Sequence, residues 1–155
     1  MAAKTAALNA LNDANVEYRT LTYSAGSDHF GDHAAQQLDF EASRMLKTLV
    51  VTNGREFALC CVPVTRQLSL KKAAHELGWK NAEMADPMKA QRVTGYIVGG
   101  ISPLGQKTKL MTLISASVQG VETICVSAGA RGLSVELAPG ELVRLTDARF
   151  VDLDA

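Results

Sequence analysis

The chain has 155 residues, enough to bury a core without disulfide or metal staples, and one domain spanning residues 1–155 is expected. Its 47% apolar and 21% charged residues are ordinary for a globular protein, and no apolar run approaches the ~20 residues of a membrane-crossing helix. Net charge is zero but uneven: residues 47–109 hold ten Lys and Arg against four Asp and Glu, while each flank holds three against six, so any polyanion would be drawn to the middle of the chain and not to the whole surface.

The N-terminal segment has helix formers at apolar spacing over Ala2–Asn12, and Asn9, Asn12 and Asp13 interrupt it where a secretory signal needs an unbroken apolar stretch. The cytosol is therefore the expected compartment. Val16–Thr22 alternates as a strand, Tyr23–His33 reads as a polar loop, and a short helix is expected from Asp32 to about Asp39. Met45–Thr52 is a strand that ends at the hairpin dipeptide Asn53-Gly54 and returns through Glu56–Val64. Ser69 caps a helix over Leu70–Leu77 that stops at Gly78, and Asp86-Pro87 opens another toward Val93.

Further strands are expected at Gly95–Val98, Lys109–Ile114, Thr123–Ser127, Leu133–Leu137 and Phe150–Leu153, with a helical turn from Pro139-Gly140 to about Arg144. Helices and strands mix without a regular βαβ repeat. This predicts an α+β fold: a mixed, strongly curved, barrel-like sheet flanked by short helices.

The richest segment for function is Thr94–Thr108, TGYIVGGISPLGQKT, with four glycines, a proline, a serine and a lysine. Glycine lets a backbone approach a ligand closely and aim N–H groups at an anion. The run from Gly100 to Thr108 nearly spells a phosphate-binding G-x-x-x-x-G-K-[ST], but Gln106 shifts the register and Pro103 removes a donor. Ser102 lacks the G-x-S-x-G elbow of a hydrolase nucleophile, and a local hydrogen bond that holds the loop is its simpler role. If Lys71, Lys72, Lys80, Lys89, Arg92, Lys107 and Lys109 share a surface with this loop, they would attract a polyanion there; otherwise they are solvated helix faces.

Lys47 interrupts an apolar strand on the face it shares with Leu49 and Val51. Either it snorkels at the strand end, or it stands in a cleft as a contact for a phosphate or an oxyanion. His29 and His33, with Asp28 and Asp32, read as a helix start with solvent-facing histidines or as a metal pair, and His75 as a surface residue. Cys60, Cys61 and Cys125 have no C-x-x-C spacing and read as small core residues of a reducing compartment, with a catalytic thiol as the sharper alternative. Neither a metal nor a cofactor is expected.

Several longer pieces occur in one order: His29-Phe30-Gly31-Asp32, Leu46-Lys47-Thr48-Leu49-Val50-Val51, Glu83-Met84-Ala85-Asp86, Thr94-Gly95-Tyr96 with Val98 to Lys107, and Arg131-Gly132-Leu133-Ser134-Val135-Glu136. Through them the run from Tyr23 to Leu153 resembles the bacterial YbaK-type aminoacyl-tRNA deacylases, relatives of the editing domain inserted in prolyl-tRNA synthetases. The resemblance implies removal of cysteine mistakenly attached to proline tRNA, with a pocket built from Tyr23, Phe30, Lys47, Thr48, the Gly99-Gly100 backbone, Ser127 and Ser134. Gly99 to Pro103 also fits the G-x-x-x-P loop of that superfamily, with the N–H groups of Gly99, Gly100 and Ile101 facing an oxyanion and Ser102 beside them at the substrate. The implied partners are the acceptor end of tRNA(Pro) carrying cysteine and prolyl-tRNA synthetase. Three other functions remain open: a binding module without turnover, a deacylase for another small aminoacyl-tRNA such as Ala-tRNA(Pro), and a hydrolase using Ser102.

Overall fold

The computed structural model describes residues 4–23 and 40–155. The expected helix over Asp32–Asp39, the preceding loop from residue 24, Phe30 and the His29/His33 pair lie outside the described residues.

Helix α1 (Ala6–Asp13) starts where Thr5 takes the N-cap: its hydroxyl accepts from the N–H of Leu8 at 3.1 Å and donates to the carbonyl of Ala128 at 2.6 Å. One threonine thus ends the helix and docks it. Strand β1 (Arg19–Thr22) is shorter than the alternation predicts, because Asn15 turns the chain at φ 55° and Val16 folds back to donate to the carbonyl of Leu11.

The hairpin of β2 (Leu46–Thr52) and β3 (Phe57–Pro63) forms as expected around Gly54 at φ 98°, with the Asn53 carboxamide accepting from the N–H groups of Arg55 and Glu56. Helix α2 (Leu70–Leu77) has the predicted bounds, capped by the Ser69 hydroxyl and closed by left-handed Gly78. A two-residue strand β4 (Glu83–Met84), too short to show a period, follows along the edge of β2. Helix α3 (Pro87–Thr94) begins at the Asp86 cap. Then come β5 (Met111–Ser115), β6 (Ile124–Ala130), β7 (Leu133–Leu137), α4 (Pro139–Thr146) and β8 (Arg149–Val151).

Two expectations need correction. No strand forms over Gly95–Val98. Gly95 adopts φ 80° at the end of α3, Tyr96 donates its N–H to the Thr94 hydroxyl, and Val98 donates to the Gln91 carboxamide, so the groups a ladder requires are consumed in a turn. Nor is there one barrel-like, strongly curved sheet. The strands form a three-stranded antiparallel sheet, β1-β7-β6, and a five-stranded mixed sheet, β4-β2-β3-β5-β8, and neither is closed. They meet at a single parallel bridge, Met45 with Cys125, because β2 leaves β6 to pair with β3 for its whole length.

The main core lies between the two sheets. Leu46, Cys61 and Ile114 meet Val126, Ala128, Leu133 and Val135 there, closed off by Leu8 and Leu11 of α1 and Leu142 of α4. Alternation sends Val51, Cys60, Val62 and Leu113 to the opposite face, where Ala73 and Leu77 of α2 cover them. Among the described residues no helix is long and apolar enough to cross a membrane.

Candidate active site

The seam where the two sheets part carries most of the residues singled out above. Leu46 belongs to the main core and Thr48 touches Cys61 Sγ at 3.8 Å, so Lys47, between them, projects from the other face of β2. Met45 lies on that same face, and its bridge partner Cys125 faces the same way as Ser127 two residues on. Lys47 and Ser127 therefore stand at the same level on two strands that no longer pair. Ser127 is in turn opposite Ser134 in β7, and Ser134 is opposite Leu21 in β1. Tyr23, at the end of β1, donates its N–H to the carbonyl of Gly132 and packs with Met45 and Cys125. Lys47, Ser127, Ser134 and Tyr23 are thus gathered on one face, Ser134 nearly fully buried and the others half-exposed.

The lysine reading is sharpened by what surrounds it. Lys47 is half-exposed and has no carboxylate or hydrogen-bond partner among the described residues. Thr48 faces inward, so it lines the seam from the core side only.

The glycine loop lies on the β6–β7 turn, beyond the strand that bears Ser127. A Cβ on Gly100 would lie 2.9 Å from the carbonyl carbon of Ala130 and 3.0 Å from the Arg131 nitrogen, so the loop backbone rests directly on the β6–β7 turn. Arg131 Nε holds it there by donating to the carbonyl of Val98 at 2.9 Å. Gly105 is pressed against α1 in the same manner, with a Cβ position 2.4 Å from the Ala6 carbonyl. Ser102 is fully buried, and its hydroxyl accepts from the N–H of Leu104 at 3.1 Å, the local role expected for it. Of the three proposed loop donors, Gly100 gives its N–H to the carbonyl of Ile97 at 2.9 Å, while Gly99 and Ile101 donate to no acceptor among the described residues.

Tyr96 is a supporting residue that sequence reasoning passed over, although it sits in the conspicuous Thr-Gly-Tyr run. Its hydroxyl donates to the carbonyl of Leu104 at 2.5 Å, and its ring lies 2.7 Å from where a Cβ on Gly129 would stand, under the irregularity that interrupts the β6–β7 register after Ser127. Burial pushes the phenol up to about 12, so it stays a donor. It ties the loop to the strand that bears Ser127. Tyr96→Phe should cost ~1–2 kcal/mol by stranding the Leu104 carbonyl. Thermal unfolding should show Tm lower by roughly 2–8 °C, and an unchanged Tm would mean the bond contributes nothing.

Among the described residues no thiol or serine hydroxyl at the seam has a histidine or carboxylate partner to activate it. Burial pushes the Cys125 thiol up to about 12 although Ser134 hydrogen-bonds it, and burial likewise raises Cys60 and Cys61 to about 12. Glu136, two residues beyond Ser134, has its carboxyl held below the usual range first by the Thr123 hydroxyl and then by Arg19, an anchored pair and not a poised base.

The basic stretch divides. Lys72 pairs with Asp152 and Lys109 with Asp147, whereas Lys89 and Arg92 lie on α3, which leads into the loop, and Lys107 sits against Gly95.

Comparison with known proteins places the chain in a family. The model of the family described as the aminoacyl-tRNA editing domain matches residues 31–145. A protein of Enterococcus faecalis, named as a candidate Cys-tRNA(Pro)/Cys-tRNA(Cys) deacylase EbsC, is 35% identical over 152 residues, covering 97% of this chain and 93% of that protein. A proline–tRNA ligase of Shouchella clausii is 31% identical over 124 residues, 77% of this chain but only 22% of the ligase. The crystal structure of a candidate trans-editing enzyme for prolyl-tRNA synthetase superposes with a TM-score of 0.84 at 24% identity, covering 99% of both chains, and shows the fold alone. By the family match over most of its length and the near full-length relative, the chain belongs to the aminoacyl-tRNA editing domain family.

Proposed function

We propose that this protein, acting as one domain over its whole length, removes cysteine from mischarged tRNA(Pro) in trans, using the thiol of the misplaced cysteine as the nucleophile. The observation that carries this reading is that no side-chain nucleophile is activated among the described residues of the seam: the thiols of Cys60, Cys61 and Cys125 are buried and raised, the Ser102 hydroxyl is occupied within the loop, and neither Ser127 nor Ser134 has a histidine or carboxylate on its hydroxyl. An enzyme of this family with such a site needs its nucleophile from elsewhere, and a cysteinyl ester brings one.

The substrate thiol has an ordinary pKa of about 8.5, so a useful thiolate fraction exists near neutrality. Held bent in the seam, its sulfur attacks the ester carbonyl. The S–C bond forms, the C–O bond to the terminal ribose breaks, the proton lost by the thiol ends on the ribose oxygen, and cysteine leaves as a thiolactone. Orientation of this kind is worth roughly 7–11 kcal/mol of barrier.

The N–H groups of Gly99 and Ile101 serve the developing oxyanion, with Gly100 as the residue that shapes the turn. Lys47 binds a phosphate or neutralises charge at the tRNA end. Tyr23, Ser127 and Ser134 line a small polar pocket that Thr48 backs from the core side, with Phe30 as its further wall or as a stacking surface for the terminal adenine. Small-residue discrimination by size alone yields only ~1–3 kcal/mol per methylene, whereas a thiol requirement rejects alanine, serine and proline chemically. Prolyl-tRNA synthetase, working in the cytosol, is the partner that would deliver the charged tRNA.

The test is a panel of proline tRNA charged with cysteine, alanine, serine or proline, together with 2-aminobutyrate, in which a methyl replaces the thiol. Only the cysteinyl ester should be cleaved fast, with a rate that climbs with pH as the substrate thiol ionises. Rapid cleavage of the 2-aminobutyryl ester would sink the thiol mechanism. Preferential cleavage of the alanyl ester would move the protein to the alanine-editing class, and a trapped acyl-serine detected by mass spectrometry would restore Ser102 as a nucleophile.

A further inference from the structure

The outward side of α3 carries a stripe of cations that runs into the glycine loop. Ala90 and Thr94 turn inward and Val93 packs against the core, which leaves Met88, Lys89 and Arg92 on the solvent side. Lys89 and Arg92 are three residues apart and so are neighbours on one helix face. The stripe continues beyond the helix, because the N–H of Lys107 donates to the carbonyl of Thr94 at 3.4 Å and a Cβ on Gly95 would lie 3.1 Å from Lys107 Cβ. The stem of Lys107 therefore lies on the last turn of α3.

These three cations differ from the paired ones of the basic stretch. None has a carboxylate partner among the described residues, whereas Arg66, Lys72 and Lys109 are paired with Asp154, Asp152 and Asp147. Lys71, which also has no carboxylate partner among the described residues, and Lys72 ride on α2, which covers the face of the five-stranded sheet that α3 does not. The acid that opens α3, Asp86, is engaged as its cap, accepting from the N–H groups of Met88 and Lys89 at 3.2 and 3.3 Å. Three uncompensated cations thus follow one another along α3 and the end of the loop, whereas the other cations of the stretch that are unpaired among the described residues, Lys47, Arg55, Lys71 and Lys80, lie on other segments.

We propose that Lys89, Arg92 and Lys107 hold the phosphate backbone of the acceptor arm of the tRNA whose charged 3′ end enters the seam, an assignment that rests on the editing function above. From Lys89 to Gly95 the helix rises ~9 Å, which spans two or three phosphates at ~3.4 Å of axis per residue of one strand. The contacts are to backbone only, so they supply affinity and orientation without reading sequence. A chain of zero net charge can in this way bind a polyanion at one place.

The experiment measures fluorescence anisotropy of an uncharged acceptor-stem hairpin against K89E/R92E, K107E and, as a single reversal elsewhere that matches K107E in charge, K71E. The double variant should weaken binding roughly tenfold at physiological salt, and each cation removed should reduce the slope of log K on log salt by about one. K71E should bind like the unaltered protein. In deacylation assays the double variant should raise KM with kcat changed by less than about twofold, since neither residue touches the reacting ester. Binding by K89E/R92E with unaltered affinity and slope overturns the proposal. So does an equal loss in K71E, or a hairpin affinity of the unaltered protein that ignores salt. Failure of the editing reading looks different: the stripe would bind the hairpin with the expected slope while none of the charged tRNAs was cleaved.

Discussion

Lys47→Met is expected to lower deacylation kcat/KM by about 10–10², the cost of losing one charge-assisted contact worth ~1.5–3 kcal/mol to the tRNA end, while the protein stays folded. The reasoning starts from alternation. Thr48 contacts the core cysteine Cys61, so Lys47 faces the seam, level with Ser127 across strands that have ceased to pair. Its ammonium has no partner among the described residues, so its loss strands no acceptor and should change stability by no more than ~0.5 kcal/mol. Methionine keeps the apolar stem, which makes it a cleaner test than alanine. If Lys47 only snorkels, Lys47→Met keeps full activity. If the lysine is structural, activity and Tm fall together. Only a folded, inactive variant supports the assigned role, and Lys47→Arg should recover part of the rate if charge alone is required.

Gly100→Ala should damage both activity and stability, for a different reason. Its new Cβ would stand 2.9 Å from the Ala130 carbonyl carbon and 3.0 Å from Ala130 Cα and the Arg131 nitrogen, all of them backbone atoms that cannot rotate away. Loop and turn must separate by a few tenths of an ångström at a cost of ~1–3 kcal/mol. For a chain of this size that lowers Tm by roughly 2–12 °C. The flanking donors Gly99 and Ile101 would shift with the loop, and displacements approaching 1 Å cost about 10² in rate. Gly140→Ala is the matched control, since nothing lies within 4 Å of a Cβ there and both measurements should be unchanged. A Gly100→Ala protein with normal Tm and normal rate would mean that the loop does not rest on the β6–β7 turn.

Local signals were legible where one residue type answers one local demand. Ser69 and Gly78 bound α2 as read, and Asn53-Gly54 closes the β2–β3 hairpin. The same local logic failed at Gly95–Val98, whose apolar residues look like a strand. Tyr96 is buried as a strut under β6, and its backbone N–H is taken by Thr94. Nothing in the run itself announces either partner. Gly100 was singled out for the ligand it could approach, yet what forbids a side chain there is the protein's own β6–β7 turn, about thirty residues on.

By itself the sequence determined the α+β class, most helix and strand positions, the family through motifs kept in order, and the unsuitability of the glycine loop as a phosphate cradle, since these depend on short-range spacing and residue chemistry. Only the tertiary structure decided that the strands divide into two sheets meeting at Met45 and Cys125, and that Lys47, Ser127 and Ser134 share one face. It also decided which loop N–H remains free and which cations go unpaired. Those properties arise from contacts between segments far apart in the chain, 117 residues for Arg19 and Glu136, where burial and hydrogen-bond competition select among pairings that local pattern leaves equivalent.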